Sequence, residues 1–188
     1  MSHDLKIVGG HFRGRKLVST DDPGVRPMKN RVREAVFNLI GPEVAHSHAL
    51  DLFAGTGALA LEALSRGAAR ATMIERHFPT AQVIRQNVKT LDVEDRVDIV
   101  TADAFYWVRH KLTSDEIAWV VLCSPPYSYF VERTHDMLDL IQAVIARARP
   151  GSSIVVESDE RFDVSQLPDA GQWDVRRYPP ATVSLRRL

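Results

Sequence analysis

From residue 48 onward, apolar runs of strand length alternate with helix-periodic stretches, and this alternation constrains the fold more than any other feature of the chain. The runs Ala49–Phe53, Arg70–Ile74, Val97–Thr101, Ile117–Leu122 and Ser153–Glu157 read as strands. Between them, Ala58–Arg66, Pro79–Leu91, Ala104–His110 and a stretch from soon after Phe130 through Leu138–Arg147 read as helices. Strands joined by helices predict a doubly wound, mainly parallel α/β sheet, because a parallel pair needs a crossover connection. Trp173–Tyr178 and Thr182–Leu188 flank Pro179-Pro180-Ala181 and predict a closing antiparallel pair. In such a sheet the ligand lies at the carboxyl ends of the strands, so the residues there carry the argument about function.

The segment before the sheet differs in charge. The chain has 24 Lys or Arg and 24 Asp or Glu, so its net charge is zero. Lys6–Arg33 nevertheless holds 8 basic residues against Asp21 and Asp22, which leaves 16 basic and 22 acidic residues elsewhere. A basic arm on a mildly acidic body is the asymmetry expected of a phosphate-binding module. Leu5–Val8 and Arg15–Ser19 around Gly9–Gly14 predict a small β-hairpin, and Met28–Ile40 a helix with Arg33 and Glu34 on its surface. Residues 1–27 are therefore expected to form a nucleic-acid-binding extension and 28–188 the main domain. At 188 residues the chain suits one core. It holds no apolar run of membrane-spanning length, and one cysteine, Cys123, excludes an internal disulfide and predicts a buried, inert thiol. His46 and His48 lack metal-spaced partners in sequence, so no metal site is expected, and a cytoplasmic protein is.

The first strand runs into Asp51-Leu52-Phe53-Ala54-Gly55-Thr56-Gly57. The glycines of this loop permit a tight turn, and the following helix offers amides to a ligand. Gly55, Gly57 and Ala60 also satisfy the dinucleotide fingerprint, so the glycines do not choose a cofactor. Asp51 does: a carboxylate here repels a pyrophosphate but suits the ammonium and sulfonium of S-adenosylmethionine. Glu75, with Arg76 beside it, stands 20 residues after Gly55 and is placed for ribose hydroxyls, while Asp103 and the Ala104 amide are placed for adenine. Each acid could equally serve as a helix cap.

The fourth strand ends in Ser124-Pro125-Pro126-Tyr127. Paired prolines hold the backbone extended and fix the direction of its carbonyls. An aryl amine is a poor nucleophile because its lone pair is delocalised. Acceptors that grip its hydrogens, here the Ser124 hydroxyl and Pro125 carbonyl, favour the pyramidal transition state. Tyr127 would stack on the extruded base.

The Asp51–Gly57 loop and Ser124–Tyr127 together resemble class I amino-methyltransferases, whose fourth motif is (D/N/S)-P-P-(Y/F/W). Ile7–Arg15 and Arg26–Asn38 narrow the resemblance to the bacterial RsmD-type family. That resemblance implies a monomeric enzyme that methylates the 2-amino group of a guanine in ribosomal RNA, within the small ribosomal subunit or an assembly intermediate of it. It would take S-adenosylmethionine as cofactor. One departure stands out: Ser124 replaces the family's usual Asp, and a hydroxyl accepts less strongly than a carboxylate. Gly10, Gly14, Arg13, Arg15, Arg26 and Lys29 are the expected RNA contacts, through glycines that allow close approach and side chains that carry charge. Three alternatives stay open: a DNA adenine or cytosine amino-methyltransferase, an RNA-binding assembly factor without turnover, and an NAD-dependent oxidoreductase.

Overall fold

The computed structural model describes residues 5–20, 22 and 28–188. Its single sheet has seven strands: β1 (His48–Asp51), β2 (Arg70–Ile74), β3 (Val97–Val100), β4 (Trp119–Cys123), β5 (Ser153–Asp159), β6 (Asp174–Tyr178) and β7 (Ala181–Arg187). They lie in the order β3-β2-β1-β4-β5-β7-β6. The first five are parallel, β7 runs antiparallel to β5, and β6 closes the edge. The helices are α1 (Asn30–Ile40), α2 (Ala58–Ser65), α3 (Phe78–Leu91), α4 (Ala104–His110), α5 (Tyr129–Glu132) and α6 (Thr134–Arg147).

Alternate residues along each central strand face opposite sides, which builds two cores. Ala49, Met73, Val120, Leu122 and Val155 pack with α1, α2 and α3. Leu50, Leu52, Ile74, Val121 and Val156 pack with α4 and α6. The almost unbroken apolar runs of β1 and β4 follow from burial on both faces. A fully buried Leu or Ile contributes about 1.5–3 kcal/mol, so these two layers are the main source of stability.

The N-terminal arm differs from expectation in three ways. Its hairpin reduces to one bridge, Lys6 with Lys16, flanked by Ile7 N to Arg15 O and Leu17 N to Leu5 O. Leu5, Ile7 and Leu17 sink into the same core as α1. Arg33, expected on the surface, is fully buried, because the other face of α1 is covered by the arm. Its guanidinium donates to Lys6 O, to Met28 O at 3.3 Å and to Asn30 Oδ1 at 2.9 Å, and lies 3.5 Å from Glu62. Glu62, also fully buried, accepts from Val8 N at 2.8 Å and from Arg66 Nε at 2.8 Å.

One carboxylate thus ties the arm, α1 and α2 together. Removing one partner of a buried ion pair leaves an uncompensated charge and costs about 3–5 kcal/mol. Glu62→Ala should lower the unfolding free energy by about that much in a urea titration, and Glu62→Gln by less. A Glu62→Ala protein within about 1 kcal/mol of the parent would contradict this role, since that is the loss typical of any point substitution.

Candidate functional site

At the carboxyl ends of the parallel strands a pocket of about 800 Å³ opens between the loop after β1, the loop after β4 and the β6–β7 turn. That is ample for a nucleoside-sized ligand. Phe53, Ala54, Gly55, Glu75, Arg76, Asp103 and Ala104 line one part of it. Ser124, Pro125, Pro126 and Tyr127 line another. The two groups singled out in the sequence therefore share one cavity.

The loop after β1 is fixed by its backbone. Ala54 N donates to Ile74 O at 2.9 Å and Gly57 N to Ala54 O at 2.7 Å. Gly55 and Gly57 take φ of 53° and 77°, the left-handed region that glycine enters without steric cost. Glu75 accepts from Gly55 N at 2.9 Å and from His77 N at 2.7 Å, so one carboxylate clasps the loop while facing the pocket. Each oxygen keeps further lone-pair capacity for hydroxyl donors. Asp103 is both pocket wall and helix cap, since its Oδ1 accepts from Tyr106 N at 3.0 Å at the start of α4.

Asp51 and Gly57 do not line the cavity. Asp51 lies fully buried beneath the loop, where Oδ2 accepts from Ala60 N at 3.3 Å and Oδ1 has no hydrogen-bond partner among the described residues. Burial pushes its carboxyl up to about 7, and the nearby Glu75 charge pushes in the same direction. An orphaned, reluctantly ionised carboxylate under the loop is answered by a cationic ligand above it and opposed by an anionic one. The residues present therefore fit a cationic nucleoside such as S-adenosylmethionine and disfavour a dinucleotide pyrophosphate.

In the second wall, Tyr129 N donates to Pro126 O at 2.9 Å and Phe130 N to Tyr127 O at 3.2 Å. Among the described residues Pro125 O accepts no backbone hydrogen bond, which leaves it available in the buried part of the wall. The Ser124 hydroxyl donates to Glu157 Oε2, and the Tyr127 hydroxyl to Glu157 Oε1 at 2.6 Å. Glu157, Asp159, Arg161, Tyr129 and the Tyr178–Ala181 turn also line the pocket and were not anticipated. Glu157 carried a signal, an acid directly after the apolar run Ile154-Val155-Val156 at the end of the fifth predicted strand. Tyr129 packs edge-on against Phe53, with the Arg76 guanidinium 5.8 Å from its ring centre.

The expected RNA contacts divide. Arg13 and Lys29 are exposed, and Lys29 reaches the pocket rim. Arg15 donates to Thr90 O at 2.7 Å at the end of α3. Arg26 lies outside the described residues. Gly10, at φ 73°, approaches protein closely: a Cβ there would sit 2.0 Å from Ser65 O. His11 N donates to that same oxygen at 2.7 Å. Gly14, at φ 85°, has open space around it. Cys123 is buried, with its thiol pushed up beyond the usual range by that burial. His48 does have a carboxylate neighbour, Asp115 at 2.7 Å, and its other nitrogen meets Thr72 at 2.8 Å. No group of three or more potential metal ligands occurs among the described residues, and no described helix is long and apolar enough to cross a membrane.

The raised Asp51 value has a sign that can be tested. A carboxyl that ionises near 7 when folded, against 3.8 ordinarily, favours the folded state while protonated. That contribution is complete below about pH 4 and is lost as pH rises through 7. Thermal melts of ligand-free protein from pH 5 to 8 should fall more steeply for the parent than for Asp51→Asn. Equal slopes would mean that Asp51 is ionised throughout.

The family model described as "Conserved hypothetical protein 95" matches residues 5–185. The "Ribosomal RNA small subunit methyltransferase D" of Escherichia coli K12 is 40% identical over 139 residues, 73% of this chain and 68% of its own. The Bacillus subtilis protein named "Putative rRNA methyltransferase YlbH" is 36% identical over 162 residues, 86% of each chain. The solved structure "Putative methyltransferase yhhF from Escherichia coli" superposes with a TM-score of 0.79 at 31% identity, covering 96% of both chains. With the glycine loop and the Ser-Pro-Pro-Tyr wall in one pocket of a doubly wound sheet, the chain belongs to the RsmD-type family of class I methyltransferases.

Proposed function

We propose that this chain transfers a methyl group from S-adenosylmethionine to the exocyclic 2-amino group of a guanine in small-subunit ribosomal RNA. The observation that carries the reading is the shared cavity: Ser124–Tyr127 forms one wall and the Phe53–Gly55 loop with Glu75 the other. The name of the Escherichia coli relative supports the RNA substrate. The choice of the guanine 2-amino group rests on the likeness of the arm and the fourth-strand motif to the family.

When bound, S-adenosylmethionine supplies an electrophilic methyl group, which a nitrogen lone pair takes while sulfur keeps the bonding pair. The residues of this chain do the rest by position. Glu75 receives the ribose hydroxyls through lone pairs not used by Gly55 and His77. Asp103 and the Ala104 amide meet the adenine, and Asp51 supplies negative potential from beneath the loop. The Ser124 oxygen and Pro125 carbonyl accept the two N–H groups of the target amine, which turns its lone pair out of the base plane. Tyr127 holds the base by its ring, with its hydroxyl anchored on Glu157. Positioning of this kind supplies much of the rate without a metal or a covalent enzyme adduct. Arg13, Arg15, Arg26 and Lys29 hold the RNA backbone. Residues 1–27 serve as the RNA-binding extension of the domain formed by 28–188.

Incubation with tritiated S-adenosylmethionine and small ribosomal subunits lacking the modification, beside naked RNA and duplex DNA, tests the reading. Label should enter RNA and be recovered after digestion as 2-methylaminoguanine. Ser124→Ala should reduce turnover by about a hundredfold, the loss typical of one preorganised hydrogen-bonding group at a transition state. Label in DNA alone would shift the substrate to a DNA amine. No label, with cofactor binding intact, would leave an assembly factor without turnover.

A further inference from the structure

Methylation of a neutral amine leaves the nitrogen with one proton more than the product keeps, and the Ser124–Tyr127 wall contains no base to receive it. We propose that Glu157 is that base: it takes the proton through Ser124, supplying from β5 the carboxylate that the end of β4 lacks. The proposal rests on the methyltransferase reading above.

The register of the sheet creates the arrangement. Cys123, the last residue of β4, pairs with Val156 of β5, so Ser124 leaves its strand beside Glu157, which is still held in β5 by its pairing with Val183 of β7. Glu157 is 4% exposed, yet it lines the pocket. Its two oxygens accept from Ser124 and Tyr127. Among the described residues no Lys, Arg or His lies within ion-pair distance of it. The nearby Arg161 is engaged with Asp159 at 2.8 Å. Among the described residues this buried carboxylate is held by two hydroxyls, an expensive arrangement for a purely structural group, because a charge taken out of water calls for a countercharge. The cation it faces in turnover is the methylated nitrogen.

The hydrogen-bond direction is the second argument. A carboxylate only accepts, so the single Ser124 hydroxyl hydrogen points at Glu157. The Ser124 lone pairs are then left to face the amine. Without Glu157 the serine could turn its hydrogen toward the amine and oppose the reaction. After the carbon–nitrogen bond has formed, an N–H bond of the cationic nitrogen breaks as an O–H bond forms on Ser124. The original Ser124 O–H bond breaks as one forms on Glu157. The products are a neutral secondary amine, an intact serine and a neutral Glu157 carboxyl, which returns its proton to water once the product has left the pocket.

Glu157→Gln keeps hydrogen-bonding capacity and shape but removes the charge. Adding Ser124→Asp to it restores a carboxylate directly at the amine. The full-length parent, the single variant and this double variant are compared on small subunits lacking the modification. Cofactor affinity is read by calorimetry and subunit affinity by filter binding. Glu157→Gln should leave both affinities and KM within about twofold while kcat falls by about a hundredfold, the scale of a lost general base. The double variant should recover kcat to within about tenfold of the parent. Unchanged kcat in Glu157→Gln would overturn the proposal. So would a parallel loss of cofactor affinity, which would place Glu157 in the cofactor site, or a double variant no faster than the single. If the parent itself labels no RNA, every variant is silent and the methyltransferase reading falls, taking the proposal with it.

Discussion

The parallel register of β2, β1, β4 and β5 is the constraint on which the site depends. Asp51 pairs with Met73 on one side and Leu122 on the other, and Cys123 pairs with Val156. The four strands consequently bring their carboxyl-end residues level, and these stand in a row: Glu75 after β2, the loop that begins at the end of β1, Ser124 after β4, and Glu157 inside β5, which runs on to Asp159 against β7. A slip of one residue in any pairing would turn each side chain to the opposite face. The two apolar layers that fix the register are thus also what aligns the polar groups.

The arm is coupled to that row through α3. Asn87, fully buried, accepts from Val18 N at 2.6 Å and donates to Val18 O and Thr56 O, both at 3.0 Å. One amide side chain therefore joins the basic arm to the glycine loop. Ser65 at the end of α2 does the same for the turn, donating to Gly9 O at 2.6 Å and accepting from Phe12 N at 2.9 Å. The segment proposed to hold RNA is built into the frame that shapes the pocket.

Most of this frame was legible in the sequence because its signals are local. Strand runs, helix periods and the two loop motifs each lie within one short stretch of chain, and β2 and α4 fall where the pattern puts them. Arg33 and Glu157 were misread or missed because their environments come from distant chain. Arg33 looks exposed by helical period until Lys6 and Glu62 cover it. Gly10 has a further reason to be glycine that the sequence does not show, the close approach of Ser65 O. Glu157 meets its partner across 33 residues of sequence, through a register that no local pattern encodes. Asp51 was marked as the residue that selects the ligand's charge; it lies beneath the loop, with one oxygen unsatisfied among the described residues.

The central claim is that these strand-end carboxylates shape a site for a cationic nucleoside. Calorimetric titration of the protein with S-adenosylmethionine and, separately, with NAD measures it directly. The account predicts saturable 1:1 binding of S-adenosylmethionine, weakened by Glu75→Ala, and no binding of NAD. Tight binding of NAD, or S-adenosylmethionine affinity indifferent to Glu75, would contradict it.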